Sequence, residues 1–96
     1  MPAYVIGHIT VKDPEKWAEY RNQVPGTLAP WSAEPVFRGR KTSVLSGDHS
    51  HIDTVVIRFP DTESVEQWYN STAYQELIPL RKDAADVDLI SYESGS

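Results

Sequence analysis

The sequence contains no cysteine, which removes disulfide frameworks, thiol nucleophiles and cysteine-ligated metals from consideration. It is also short of cations. Nine Lys plus Arg stand against fourteen Asp plus Glu, giving a net charge of −5, and no basic run offsets it, so nucleic acid is not an expected partner. No apolar window reaches the length of a membrane span, and the opening Met1-Pro2-Ala3-Tyr4-Val5-Ile6 lacks the basic and long apolar regions of a secretory signal. The expectation is therefore a soluble, cytoplasmic protein with no membrane partner. No P-loop, dinucleotide fingerprint, Ser-His-Asp order or HExxH occurs, and no cofactor is expected. Repeats, linkers and low-complexity tracts are missing too. At 96 residues the chain reads as one domain, 1–96, whose last residues, 93–96, are polar and expected to fray.

Alternation is present from the start. Val5, Ile9 and Val11 fall on one face of a first strand and Tyr4, Ile6, His8 and Thr10 on the other. Asp13-Pro14-Glu15 then opens a helix, since Asp accepts free backbone N–H groups and Pro suits the first helical position. Its stripe is Trp17, Tyr20, Val24, Leu28 and Trp31, and Pro25-Gly26 is expected to bend or break it. From Val36 to Pro60 two Val-, Ile- and Phe-rich runs flank Ser46-Gly47-Asp48-His49-Ser50, the pattern of a hairpin with a longer connection. Pairing the strands about Asp48 sets Phe37 beside Phe59 and Gly39 beside Ile57 on one face, with Val36, Arg38, Arg40, Val56 and Arg58 on the other. Asp61 or Thr62 caps a second helix bearing Val65, Trp68 and Tyr69, and Ser71 or Thr72 caps a short third one interrupted by Pro79. Val87 to Tyr92 makes the last strand.

The order strand, helix, strand, strand, helix, strand is the split βαβ arrangement of ferredoxin-like α+β domains, with an antiparallel sheet covered by helices on one side. The uncovered face carries Ile6, Val36, Val44 and Val56 beside two arginines and a histidine. A domain this short buries only about two thirds of its unfolded surface, so a second copy is expected to cover that face and enclose a partly polar cavity.

The opening MPAYVI, Asp13-Pro14 followed by Tyr20, Arg38-Gly39, Phe59-Pro60, Trp68-Tyr69 with Ser71 and Tyr74, and Arg81 together resemble the DUF1330 family of small bacterial proteins over nearly the whole chain. The resemblance implies a dimeric α/β barrel of ferredoxin-like type and supplies no general activity. Relatives usually read Glu-Phe-Pro where this chain has Arg58-Phe59-Pro60, a glycine pair at Ser32-Ala33, and glycine at Arg40. The resemblance thus implies that an Arg–Glu cross-strand pair has become Arg38–Arg58 here, in a more electropositive pocket.

Two guanidinium groups converging in a partly buried cleft can hold a carboxylate or phosphate, whereas Glu34, Glu93 or a partner carboxylate would neutralise them instead. His8, on the same expected face, is the candidate acid–base residue or hydrogen-bond donor, and Tyr4 a further lining residue. Asp48-His49-Ser50-His51-Ile52-Asp53 reads as a polar turn and not as a metal site, because a loop tip seldom fixes ligand geometry. Trp68, Tyr69, Ser71 and Tyr74 are explained by helical packing and a serine cap. The expected function is binding of a small anionic or aromatic acid by His8, Arg38, Arg58 and Tyr4 in a homodimer cavity. The alternatives are a cofactor-independent oxygenase or isomerase of the dimeric α/β-barrel type, and a structural dimer without ligand.

Overall fold

The computed structural model describes residues 1–95; Ser96, the end of the expected frayed tail, lies outside the described residues. Strand β1 (Ala3–Val11) leads into α1 (Pro14–Leu28), a single 3-10 turn follows (Ala29–Trp31), and β2 (Glu34–Arg40) and β3 (Asp53–Phe59) form the hairpin. Helices α2 (Thr62–Tyr69), α3 (Thr72–Gln75) and α4 (Ile78–Ala84) precede β4 (Ala85–Glu93). The sheet has the order β2-β3-β1-β4 with every neighbouring pair antiparallel, as a ferredoxin-like α+β fold requires. Its first tail residue, Glu93, pairs with Ala3, and the Ser94 N–H donates to the Pro2 carbonyl.

Local chemistry accounts for the helix starts. Asp13 accepts from the Glu15 and Lys16 amides, and Asp61 accepts from the Ser64 amide at 2.7 Å. Pro25 does not break α1. It lies on the exposed side, where the carbonyl one turn back can face water, while Tyr20, Val24, Thr27 and Leu28 continue the buried stripe. Pro79 instead divides the third helical segment in two and occupies the first turn of α4, where a missing N–H does no harm.

The core lies between the helices and one sheet face. Ala3, Val5, Ile9, Val55, Ile57 and Phe59 point into it from the strands, and Leu28, Trp68, Tyr74 and Leu77 from the helices. The buried indole N–H of Trp68 donates to Thr27 Oγ1 at 3.0 Å, and the Thr27 hydroxyl donates to the Val24 carbonyl at 2.7 Å. Both buried polar groups are thereby satisfied.

The hairpin register differs from the expectation about Asp48. Phe37 stands opposite Val56, Arg38 opposite Val55 and Gly39 opposite Thr54, with a bulge between Pro35 and Phe37. Residues 41–52 form a long irregular connection that is not centred on Asp48. Because side chains alternate with a period of two, this slip turns β2 over relative to β3. Arg38 now shares the helix-side face with Val55, and Phe37 has moved to the uncovered face. The expected Arg38–Arg58 cross-strand pair does not form.

Candidate functional site

Antiparallel register orders the uncovered face into rows. Glu34, Arg58, Tyr4 and Tyr92 form the first; Phe37, Val56, Ile6 and Ile90 the second; Gly39, Thr54, His8 and Asp88 the third. The second row is wholly apolar, with Ile6 and Val56 partly buried and Phe37 56% and Ile90 41% exposed. Tyr4 and Arg58 are direct cross-strand neighbours. His8 lies four residues further along β1, about 13 Å at an ordinary strand rise. Of the four residues expected to line one pocket, therefore, Tyr4, His8 and Arg58 share a face without converging, and Arg38 is on the other side of the sheet. Arg58 faces Glu34 across the strands, although no ion pair within 4 Å joins them among the described residues.

All three histidines meet at the third row. His8 lies 5.0 Å from His49 and 6.4 Å from His51, centroid to centroid. His51 donates through Nε2–H to Asp88 Oδ2 at 2.8 Å, which in the neutral ring leaves Nδ1 to accept from the Thr10 hydroxyl at 2.9 Å. Both nitrogens of His51 are thus engaged. His8 Nδ1 is buried without a hydrogen-bond partner. His49 is held below the usual histidine range by partial loss of hydration, then by the charges of His8, Lys41 and His51. Among the described residues no group of three His, Asp or Glu side chains is arranged to hold a metal ion. The Thr10–His51–Asp88 chain fixes the His51 ring, and His8 Nδ1 beside it is left unengaged. Thr10 and Asp88 escaped the sequence reading because only the β1–β4 register and the return of the loop bring them to His51.

On the helix side a second polar group is set into the aromatic core. Tyr20 and Tyr74 share a hydrogen bond of 2.8 Å between their hydroxyls, and Arg81 Nη1 donates to Tyr74 Oη at 2.9 Å. Burial, with Tyr74 alongside, pushes Tyr20 far above the usual tyrosine range, so its hydroxyl stays protonated. For Arg81 burial acts to lower the pKa, but the surrounding tyrosines, Tyr74 first, outweigh it and the guanidinium stays charged. Arg81 has no carboxylate within ion-pair distance among the described residues. Tyr20, Tyr74 and Arg81 sit where three helices meet, at helical spacings that also satisfied a packing explanation, which is why their shared hydrogen bonds were not legible.

A cleft of about 630 Å³ wraps the outer edge of β4. Its helix-side part is walled by Val65, Trp68, Tyr69, Leu89 and Arg81; the part on the opposite face is walled by His8, His49, His51 and Asp88. Arg38 lies in neither part. It opens onto a separate groove between α1 and β2, next to Arg21.

Comparison with known proteins agrees with this architecture. The chain resembles the crystal structure of RPA0582, a protein of unknown function from Rhodopseudomonas palustris, with a TM-score of 0.83 and 16% identity over 99% of this chain and 83% of that one. A dimeric ferredoxin-like protein of unknown function from Jannaschia sp. CCS1 matches with a TM-score of 0.75 and 8% identity over 98% of this chain and all of that one. SnoaB, a cofactor-independent oxygenase from Streptomyces nogalater, matches with a TM-score of 0.68 and 9% identity over 99% and 94% of the two chains. At such identities the likeness establishes the fold alone. No curated protein matches the sequence. No helix among the described residues is long and apolar enough to cross a membrane. The model of the domain of unknown function DUF1330 matches residues 2–94, and the chain belongs to that family.

Proposed function

We propose that the protein is a small-molecule binding domain that holds an aromatic acid in the helix-side part of the cleft, in a homodimer closed through the uncovered sheet faces. One observation carries the reading. Arg81 is a half-buried guanidinium with no acidic partner among the described residues, anchored to Tyr74 and facing a cleft walled by Trp68, Tyr69, Val65 and Leu89. A fixed guanidinium binds a carboxylate, and the aromatic and aliphatic walls take the ring attached to it. In this reading His8 lies at the other end of the same cleft, Tyr4 and Arg58 belong to the subunit contact, and Arg38 serves a different groove. The apolar row Phe37, Val56, Ile6 and Ile90 supports the dimer, since a face this apolar is costly to leave in water. The Jannaschia protein of the same fold is described as dimeric, which favours the same assembly.

A second reading is a cofactor-independent oxygenase or isomerase. It is favoured by the His51–Asp88 pair beside the unpartnered His8 Nδ1, which together supply an acid–base group at the cleft, and by the fold shared with SnoaB.

The test is thermal unfolding at fixed protein concentration with benzoate- and cinnamate-type acids, for wild type and Arg81→Gln. A ligand at a hundredfold excess over its Kd stabilises the folded form by about 2.7 kcal/mol. That corresponds to a rise of roughly 10–20 °C in Tm for a domain of this size. Stabilisation in wild type that is lost in Arg81→Gln supports the site; equal stabilisation of both refutes it. Turnover of a bound acid that falls in His8→Ala more than binding does would select the enzymatic reading.

A further inference from the structure

We propose that the groove between α1 and the edge strand β2 is a second ligand site, which holds the terminal oxyanion of a small molecule between Arg21 and Arg38, with a flat apolar portion of that molecule against Trp17. The groove measures about 360 Å³, and all three residues line it. Trp17 and Arg21 are one helical turn apart and so stand on one face of α1. Arg38 reaches the same space from β2 because the bulge has turned it to the helix side, opposite Val55.

In place of the expected Arg38–Arg58 pair, Arg38 shares this groove with Arg21, a like charge across helix and strand that the sequence did not announce. Partial burial first, and then the charge of Arg21, lower Arg38 from the usual arginine range while leaving it protonated. An anion between the two groups would relieve that repulsion.

The protein itself does not supply the anion. Among the described residues neither arginine makes an ion pair, although fourteen carboxylates are available in a chain of net charge −5. The neighbouring lysines are served, Lys12 by Asp86 at 3.5 Å and Lys16 by Asp83 at 3.9 Å. Asp53 forms part of the groove wall, yet it contacts neither guanidinium within 4 Å. Two planar forks with their N–H donors unspent match the several acceptor oxygens of a phosphate monoester or a carboxylate, and the Trp17 indole, stacked on Tyr20 at 5.1 Å, borders the groove where an attached ring can lie against it. This site shares no lining residue with the Arg81 cleft, and the proposal does not rest on that one.

The experiment is a titration of the ¹⁵N-labelled protein with phenyl phosphate in one arm and benzoate in the other. It follows the Trp17 indole N–H, assigned with Trp17→Phe, and the Arg21 and Arg38 Nε–H signals. Wild type should show saturable shifts at Trp17 and both arginines. Arg21→Gln and Arg38→Gln should each weaken binding about tenfold or more, as expected for loss of a charge-assisted contact. Trp17, Arg21 and Arg38 should follow one binding curve while the Arg81 Nε–H follows its own, which separates this site from the cleft. Saturation by phenyl phosphate alone identifies a phosphate ligand, and saturation by benzoate alone a carboxylate. The spectra report directly that each variant is folded. Shifts that grow linearly with both probes, or a Trp17 curve that is the same in Arg38→Gln as in wild type, overturn the proposal.

Discussion

Replacing Tyr74 by Phe removes one oxygen and disturbs two partners, and their different exposure sets the size of the effect. The Tyr74 hydroxyl is bonded to the Tyr20 hydroxyl at 2.8 Å and receives Arg81 Nη1 at 2.9 Å. Tyr74 is fully buried and Tyr20 only 7% exposed, whereas Arg81 is half-buried. In Tyr74→Phe the guanidinium can turn to water, but the Tyr20 hydroxyl is left without a partner inside the core. An orphaned buried hydroxyl costs about 1–3 kcal/mol. In Tyr20→Phe, by contrast, the Tyr74 hydroxyl keeps Arg81 as its donor and loses one neutral hydrogen bond, about 0.5–1.5 kcal/mol. Tyr74→Phe should therefore be the more damaging change. Adding Tyr20→Phe to it should cost little more, because the second substitution removes the orphan. At about 4–8 °C per kcal/mol, Tyr74→Phe should lower Tm by roughly 4–24 °C. The assay is urea and thermal unfolding of both single variants and the double variant, all at one protein concentration because subunit association makes Tm concentration-dependent. Strict additivity, or a Tyr20→Phe loss equal to or greater than that of Tyr74→Phe, would refute the reasoning.

Two other outcomes follow from the same geometry. His49 is pulled below its unfolded value, so its contribution to stability is complete above the unfolded pKa near 6.5 and is lost as pH falls through the lower folded value. Unfolding midpoints measured between pH 7.5 and 5 should fall more steeply for wild type than for His49→Gln, which leaves His8, His51, Lys41 and Asp88 in place; parallel profiles would dismiss the histidine cluster as the cause. Gly7 lies between Val55 and Leu89 on the core face, and a Cβ there would sit 2.9 Å from Val55 Cγ1 and 3.2 Å from Leu89 Cδ2. Gly7→Ala should destabilise by about 1–2 kcal/mol, overcrowding outweighing the gain in strand propensity, and a denaturation midpoint at or above wild type would contradict that packing.

Much of the fold was legible because local rules and burial agreed. Asp13-Pro14 and Asp61 cap the helices as their chemistry dictates, and the alternation in β1 separates Val5 and Ile9 from Tyr4, Ile6 and His8 in the structure as it does in the sequence. Pro25 did not end the helix because a proline on the exposed side of an amphipathic helix removes a hydrogen bond whose carbonyl partner water can serve. The hairpin register departed from the expectation for a different reason. Its strands were identifiable, but residues 41–52 carry no tight turn to fix their offset, and the bulge at Val36 adds a shift that no pattern announces.

The chain alone therefore determined which segments are strands and helices, which face of β1 and β3 meets the core, and the ferredoxin-like topology, because these follow from short-range periodicity, caps and order along the chain; the family was legible from the resemblance of its motifs. Only the tertiary structure decided which chemistry-bearing residues meet. It separated Arg38 from Arg58 and set it beside Arg21, joined Thr10, His51 and Asp88, and tied Arg81 to Tyr74 and Tyr20. The physical reason is register: one inserted residue reverses a strand's faces, and the Thr10–His51, His51–Asp88 and Tyr20–Tyr74 contacts, between residues 37 to 54 positions apart, depend on how the strands and helices settle against a common core.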